Sequence, residues 1–139
     1  MKSNNNILIF IDWFIPGYKA GGPIRSVLNL VQHLSGRLNF YIVTSDRDLG
    51  DKIPYLNINT NKWINNSDYN IIYLPKNKQN RNNYKKILNE VNPNFIYLNS
   101  LFSFKFSILP LLSLKNQDTN IILSPRGMLG ESSLKIKLV

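Results

Sequence analysis

Cysteine is absent from the 139 residues, which removes disulfide frameworks, thiolate nucleophiles and Cys-based zinc or iron–sulfur sites. His33 is the single histidine. A metal centre would have to be built from carboxylates, and a Ser-His-Asp triad from one residue on a helix, so neither a metal nor another cofactor is expected. Acid is scarce too: eight Asp and Glu stand against seventeen Lys and Arg, a net charge of +9. That field favours anionic partners without saying whether they are DNA, RNA, acidic lipid or sugar nucleotides. Long apolar runs are missing. The longest suspect, residues 95–114, is interrupted by Asn99, Lys105 and Pro110, whereas a spanning helix needs about 20 predominantly apolar residues. Residues 7–11 are apolar but Asp12 cuts them short, so the start does not read as a signal peptide. The expectation is a cytoplasmic protein of a reducing compartment, with any membrane contact peripheral and at the inner face.

What is present is enough to fold. Hydrophobic residues make up 43% and aromatics 12%, a composition that supplies a core and excludes disorder, collagen and coiled coil. The 21 Asn read as compositional bias rather than as an asparagine ladder.

Short β-type runs alternate with segments of helical period. Residues 7–11 are continuous and branched-rich, as in a strand buried on both faces. Residues 14–22 carry Pro16, Gly17, Gly21 and Gly22, which is loop chemistry. Pro23 suits a first helical position, and Ile24, Val27, Leu28, Val31 and Leu34 then mark one face of a helix ending near Gly36. On that wheel His33 falls on the solvent face. Further strands are predicted at 40–44, 71–74, 95–98 and 120–123. Helices are predicted at 84–91, at 104–115 (bent or started near Pro110) and at 131–138. Residues 46–52 and 77–83 read as polar loops, and 55–63 as an ambiguous extended stretch. Strands joined by helical crossovers imply an α/β fold with a doubly wound, mostly parallel, Rossmann-like sheet. Ligands on such sheets gather beyond the carboxyl ends of the strands. The loops at 12–22, 45–51, 99–102 and 124–127 therefore hold the functional question.

Each loop carries a candidate and a plainer alternative. Gly17-Tyr18-Lys19-Ala20-Gly21-Gly22-Pro23 lets backbone N–H groups and a helix start approach a phosphate. Its spacing is neither a dinucleotide fingerprint nor a P-loop, and an ordinary βα turn would use the same glycines. Arg126 in Ser124-Pro125-Arg126-Gly127 offers a planar charged fork for phosphate or carboxylate, or is a surface arginine in a turn. Ser45-Asp46-Arg47-Asp48 has the donors and acceptors to read sugar hydroxyls, or is a solvated loop with internal ion pairing. Asp12 is an acid, a hydroxyl acceptor or a phosphorylatable aspartate, and the lack of nearby carboxylates weakens the last. Lysines 62, 76, 78, 85 and 86 lie among Asn and Tyr but without a stacking platform, so nucleic acid is not expected as a partner. No paired carboxylates suggest a glycosidase.

Taken together and in order, these stretches resemble family 4 glycosyltransferases of the GT-B fold, of the bacterial polysaccharide-biosynthesis type. The resemblance rests on residues 7–34 with Gly21-Gly22-Pro23, on residues 43–51 with Pro54-Tyr55 and Trp63, on Ile96-Tyr97-Leu98-Asn99-Ser100-Leu101-Phe102-Ser103, and on Ser124-Pro125-Arg126-Gly127-Met128-Leu129. It covers nearly the whole chain. It implies that residues 1–139 are the N-terminal, acceptor-side half of a two-domain enzyme, with the C-terminal donor-binding domain missing or on a separate chain. The implied chemistry is metal-free, retaining transfer of a sugar from a nucleotide-sugar to a glycan or lipid-linked acceptor. Gly21 and Gly22 would then contact the donor diphosphate or the acceptor. Arg126 and Gly127 would lie at the cleft floor near an anionic group. Asp46 and Arg47 remain candidates for sugar hydroxyls by their own donor and acceptor chemistry. Asn99 stands where many relatives place a histidine; a neutral amide hydrogen-bonds a hydroxyl but relays no proton. No catalytic residue is assigned, and half an enzyme is expected to be inactive alone. The alternative is a non-catalytic α/β module that binds nucleotide or anionic lipid.

Overall fold

The computed structural model describes residues 5–100, 102–114 and 119–124. Strand β1, Asn6–Phe10, lies mid-sheet and pairs in parallel with β2, Asn39–Ser45, on one side and β5, Phe95–Leu98, on the other. Strand β4, Asn70–Leu74, extends the sheet beyond β2, and β6, Asn120–Leu123, extends it beyond β5, both in parallel. Only β3, Trp63–Asn65, is antiparallel, pairing at the outer edge with β4. The order is β3-β4-β2-β1-β5-β6. Sequence order therefore runs outward one way from β1 to β2, then reverses to β5, which makes the β1/β5 junction the topological switch point of the sheet.

Alternation along β1 divides the core. Ile7, Ile9 and Ile11 point to the face covered by helix α1, Gly22–Leu34, through Ile24, Val27 and Val31. Leu8 and Phe10 point to the opposite face, covered by helix α2, Arg81–Val91, through Tyr84, Ile87 and Leu88. A π-helical turn at Phe104–Ile108 continues into helix α3, Leu109–Leu112, and packs Phe106 and Leu109 on that second face. Helices on both faces of a mostly parallel sheet are the doubly wound α/β architecture that the alternating pattern implies. Strand β6 forms the far edge, and Ile121, Ile122 and Leu123 are exposed there.

Three boundaries differ from the periodicity reading. Helix α2 starts at Arg81 rather than at Tyr84, because Asn80 in extended geometry accepts a hydrogen bond from the Asn83 N–H and caps the first turn. The polar stretch 77–83 is thus part 3₁₀ turn, at Lys76–Lys78, and part helix. The helix predicted from 104 begins with π geometry, while α3 starts at Leu109 with Pro110 buried in its first turn, in line with the start expected near Pro110. Of the ambiguous stretch 55–63, only Trp63 enters the short edge strand. The predicted loop 125–127 and helix 131–138 lie outside the described residues.

Asparagine has structural work after all. The Asn6 amide N–H donates to Asn94 Oδ1 at 2.9 Å, Asn6 Nδ2 to the Val91 carbonyl at 2.8 Å, and Asn39 Nδ2 to Asn6 Oδ1 at 3.1 Å. This chain crosses the amino ends of β2, β1 and β5, so a short asparagine network ties strand entries together where composition alone suggested bias. Asn57, Asn61 and Asn92 take positive φ, the left-handed region that asparagine tolerates better than most residues. Asn92 ends α2 in that conformation, its N–H bonded to the Leu88 carbonyl.

Candidate functional site

A cleft of about 420 Å³ opens at the carboxyl edge of the sheet, lined by residues that follow β1, β2, β4 and β5. Asp12, two residues past β1, lines it. Ser103 Oγ, beyond β5, donates to Asp12 Oδ2 at 2.7 Å, while the Asp12 carbonyl accepts the Ser45 N–H at 3.2 Å. Burial pushes the Asp12 carboxyl above its usual range, and the Ser103 hydroxyl partly offsets that. The same cleft is lined by Lys52, Lys76 and Lys105, by Arg47, and by the acids Asp48 and Asp51. Lys105 Nζ donates to the Gln79 carbonyl at 3.2 Å, and buried Gln79 holds the turn after β4 by donating Nε2 to the Leu74 carbonyl at 2.9 Å. A carboxyl, a hydroxyl and lysine ammonium groups lining one cleft can hydrogen-bond a polyhydroxylated ligand and offset an anion on it.

The second wall is the loop after β2. Asp46 is buried and accepts from Arg47 Nε at 2.8 Å and from the second guanidinium nitrogen at 3.3 Å. Arg47 also donates to the Lys52 carbonyl at 2.7 Å. The alternating charges are therefore spent largely on each other, with the Arg47 side chain still on the cleft wall. Buried Asp48 serves the neighbouring loop: its carboxylate accepts the Tyr18 N–H at 3.0 Å, the Lys19 N–H at 3.3 Å and the Leu49 N–H at 2.8 Å. Burial opposes its ionisation, but these N–H groups and the Lys19 charge win and hold the carboxyl below its ordinary value. Lys19 Nζ, in turn, meets Asp51 at 2.5 Å.

Asp48 thus ties the glycine loop to β2. Gly17 is where the two loops touch: a Cβ there would lie 2.9 Å from Asp48 Oδ1 and closer still to the Tyr55 hydroxyl. The same loop is braced from below by Tyr73, whose hydroxyl donates to the Ile15 carbonyl at 2.6 Å, and by Tyr55, which donates to the Phe14 carbonyl at 3.2 Å. Burial first, and the charges of Asp48 and Asp51 next, push the Tyr55 phenol up to about 12. Both tyrosines act as neutral donors.

Gly21 and Gly22 lie apart from the cleft, in an adjoining hollow of about 610 Å³ on the α1 side that Tyr18, Ile24 and Arg25 help to line. Gly21 adopts φ +70° and caps α1 with no side-chain hydrogen bond; no other atom comes within 4 Å of where a Cβ would stand at either glycine. The first turn of α1 holds no acidic residue, and its Ile24 and Arg25 N–H groups turn back on the Gly21 carbonyl at 3.1 and 3.5 Å. Asn99 is elsewhere again. It is 3% exposed, with Nδ2 donating to the Phe10 carbonyl at 3.2 Å and its own N–H to the same oxygen at 3.3 Å. It staples β5 to β1 at the switch point and does not line the cleft. Arg126 and Gly127 lie outside the described residues.

Of the residues singled out by sequence, the structure brings Asp12, Arg47 and Asp48 to one cleft with Asp46 behind them, and sets Gly21 and Gly22 beside it. Sequence reasoning missed Ser103, Gln79 and Lys105. Ser103 lies inside the 96–103 stretch that carries the resemblance, but neither it nor Gln79 and Lys105 stands out by residue type, and the turn after β4 is not among the loops singled out. Among the described residues, no group of three or more His, Cys, Asp or Glu side chains is placed to hold a metal ion, and no helix is long and apolar enough to cross a membrane.

Fold and cleft together define an α/β protein of Rossmann-like type with a polar cleft of mixed charge at its switch point. Comparison of the chain with protein-family models, curated proteins and solved structures gives no significant match.

Proposed function

We propose that this chain is the acceptor-side half of a retaining glycosyltransferase of the family 4 type, which transfers a sugar from a nucleotide-sugar donor to a glycan or lipid-linked acceptor. The observation that carries the reading is the Asp12–Ser103 pair at the switch point, in a cleft also lined by Lys52, Lys76 and Lys105, with Gly21 and Gly22 lining a separate hollow. The resemblance of the four loop motifs to that family agrees with it.

In this reading Asp12 accepts a hydrogen bond from an acceptor hydroxyl, and Ser103 fixes the carboxyl rotamer. The three lysines neutralise an anionic group on the acceptor, and the Gly21-Gly22 backbone faces donor phosphate across the interdomain space. One concave wall cannot surround a transition state whose charge develops between donor and acceptor. The donor-binding wall comes from a second Rossmann-like domain.

The test is sugar transfer from a panel of radiolabelled nucleotide-sugars to lipid-extracted acceptors. The chain is assayed alone and together with a donor-binding domain, on the same polypeptide or a separate one. Transfer is expected only with both halves. Transfer by the 139-residue chain alone contradicts the division of labour. No transfer by the pair, with Asp12→Asn also leaving ligand binding untouched, contradicts the reading itself.

A further inference from the structure

Two aromatic side chains on the cleft wall lie outside the core. Trp13, directly after Asp12, is half-buried and lines the cleft; so does Phe104, directly after Ser103 and 54% exposed. Neither belongs to the clusters that pack the two faces of the sheet. Among the described residues no other ring stacks on either of them, and the Trp13 indole N–H has no acceptor. The chain's other tryptophan is the opposite case. Trp63 packs edge-on against Tyr41, with ring centroids 5.5 Å apart, and donates its indole N–H to Glu90 Oε2 at 3.1 Å. An aromatic ring with an apolar face and a free polar handle is a contact surface for a ligand rather than a piece of core.

The neighbours of these rings say what covers them. Each is adjacent in sequence to one member of the Asp12–Ser103 pair, so a carboxyl and a hydroxyl accompany the aromatic surface. Four cations and three carboxyls share the lining, namely Arg47, Lys52, Lys76 and Lys105 with Asp12, Asp48 and Asp51. With the signs nearly balanced, the cleft holds its ligand by shape and hydrogen bonding more than by net charge. A pyranose ring has both halves of the matching chemistry: a C–H face that is apolar and a rim of hydroxyls that donate and accept. A nucleobase would stack as well, but it arrives with its phosphates, which Asp48 and Asp51 on the same lining oppose.

We propose that Trp13 and Phe104 form the stacking surface for a pyranose ring of the acceptor, with Asp12 and Ser103 reading its hydroxyls. The two aromatic residues then determine specificity: the cleft selects the sugar ring of an acceptor rather than its lipid part. This rests on the cleft being the acceptor site and deepens that reading by naming what enters it.

The test is tryptophan fluorescence of the 139-residue chain in a Trp63→Phe background, where Trp13 is the one remaining indole. The ligands are a panel of methyl pyranosides covering the common hexose, N-acetylhexosamine and deoxyhexose rings. Sorbitol (hydroxyls without a ring face), inorganic phosphate and uridine are the controls, and circular dichroism is run on every variant. At least one pyranoside is expected to move the Trp13 emission to shorter wavelength and to saturate, while the controls leave it unchanged. By amide NMR shifts, Trp13→Ala weakens that pyranoside roughly tenfold and Phe104→Ala about threefold, the range for losing one aromatic contact. Trp13→Tyr keeps a ring and recovers most of the loss. Because neither side chain belongs to the core clusters, these variants keep the wild-type spectrum. A panel that leaves Trp13 emission unchanged overturns the proposal, as does a pyranoside affinity that Trp13→Ala does not alter, or uridine acting as strongly as any sugar. Transfer assays separate this from the reading beneath it. A pyranoside bound through Trp13, with no transfer by the paired halves, supports the stacking surface and contradicts the transferase. Transfer with an acceptor KM that Trp13→Ala leaves unchanged overturns the stacking surface alone.

Discussion

Ser103 Oγ and Asp12 Oδ2 are 2.7 Å apart, joining the segments that leave β5 and β1 on either side of the sheet's switch point. The same Ser103 oxygen accepts the Phe106 N–H at 3.1 Å, capping the π-helical turn. One hydroxyl therefore orients the cleft carboxyl and starts the helical segment that follows β5.

Removing that hydroxyl breaks both bonds. Ser103→Ala is expected to destabilise the fold by about 1–2 kcal/mol, the range for losing a helix cap together with a bond to a carboxylate. Chemical denaturation checks this; a loss below a few tenths of a kcal/mol contradicts the dual role.

Asp12 has a definite sign with pH. Its folded carboxyl titrates above the ordinary value of 3.8 because burial penalises the charged form. The folded chain therefore holds this proton more tightly than the unfolded one. The stability linked to Asp12 is complete below its unfolded pKa and is lost as pH rises through the higher folded value. Asp12→Asn keeps an oxygen for Ser103 and removes the ionisation. The variant is expected to melt above wild type at neutral pH, with the gap closing as the pH falls below about 4. Equal or lower Tm at neutral pH would contradict the assignment.

Asp48 runs the other way. Its carboxyl is held low, so its contribution is present above the unfolded value of 3.8 and disappears as pH falls through the folded one. Asp48→Ala leaves the Tyr18, Lys19 and Leu49 N–H groups without their acceptor and is expected to cost about 2–4 kcal/mol at neutral pH. The cost shrinks in acid. Urea titrations of both proteins across pH measure it, and a cost constant with pH would refute the charge-assisted tether.

The glycines separate cleanly. Gly17→Ala drives a Cβ against Asp48 and Tyr55 and is expected to cost about 1–3 kcal/mol, as overpacking does. Gly21→Ala places a Cβ at φ +70°, a cost of about 1–2 kcal/mol. Gly22→Ala meets open space at ordinary φ and is neutral or slightly stabilising in the first turn of α1. A Gly22→Ala protein that folds normally yet loses ligand affinity would mark its backbone as a contact surface.

The fold was legible because burial leaves a repetitive mark. The branched runs at β1, β2 and β4, the helical stripe of α1 and the crossover order need only period and length to read. Polar residues were harder. Asn80 begins α2 by a cap that looks like loop composition, and the Asn6–Asn39–Asn94 network depends on strand ends brought together from far apart in sequence. In the site, Asp12 and the 45–48 loop were visible because they follow strong strands. Ser103 and Lys105 were not, since they sit inside an apolar stretch whose register only the tertiary structure decides. Gly21 and Asn99 show the converse limit: both belong to recognisable motifs, yet Gly21 lines a separate hollow and buried Asn99 is bonded to the Phe10 carbonyl.

The central claim is that the carboxyl-edge cleft receives a sugar-bearing anion. Its most direct measurement is a backbone-amide NMR titration of the chain with a nucleotide-sugar and, separately, with a phosphorylated disaccharide. The account predicts saturable shifts confined to residues around Asp12, Lys52, Lys76, Ser103 and Lys105 for the phosphorylated sugar, and around Gly21 and Gly22 for the nucleotide-sugar. Shifts scattered over surface lysines and abolished by modest salt, or none at the cleft, would contradict it.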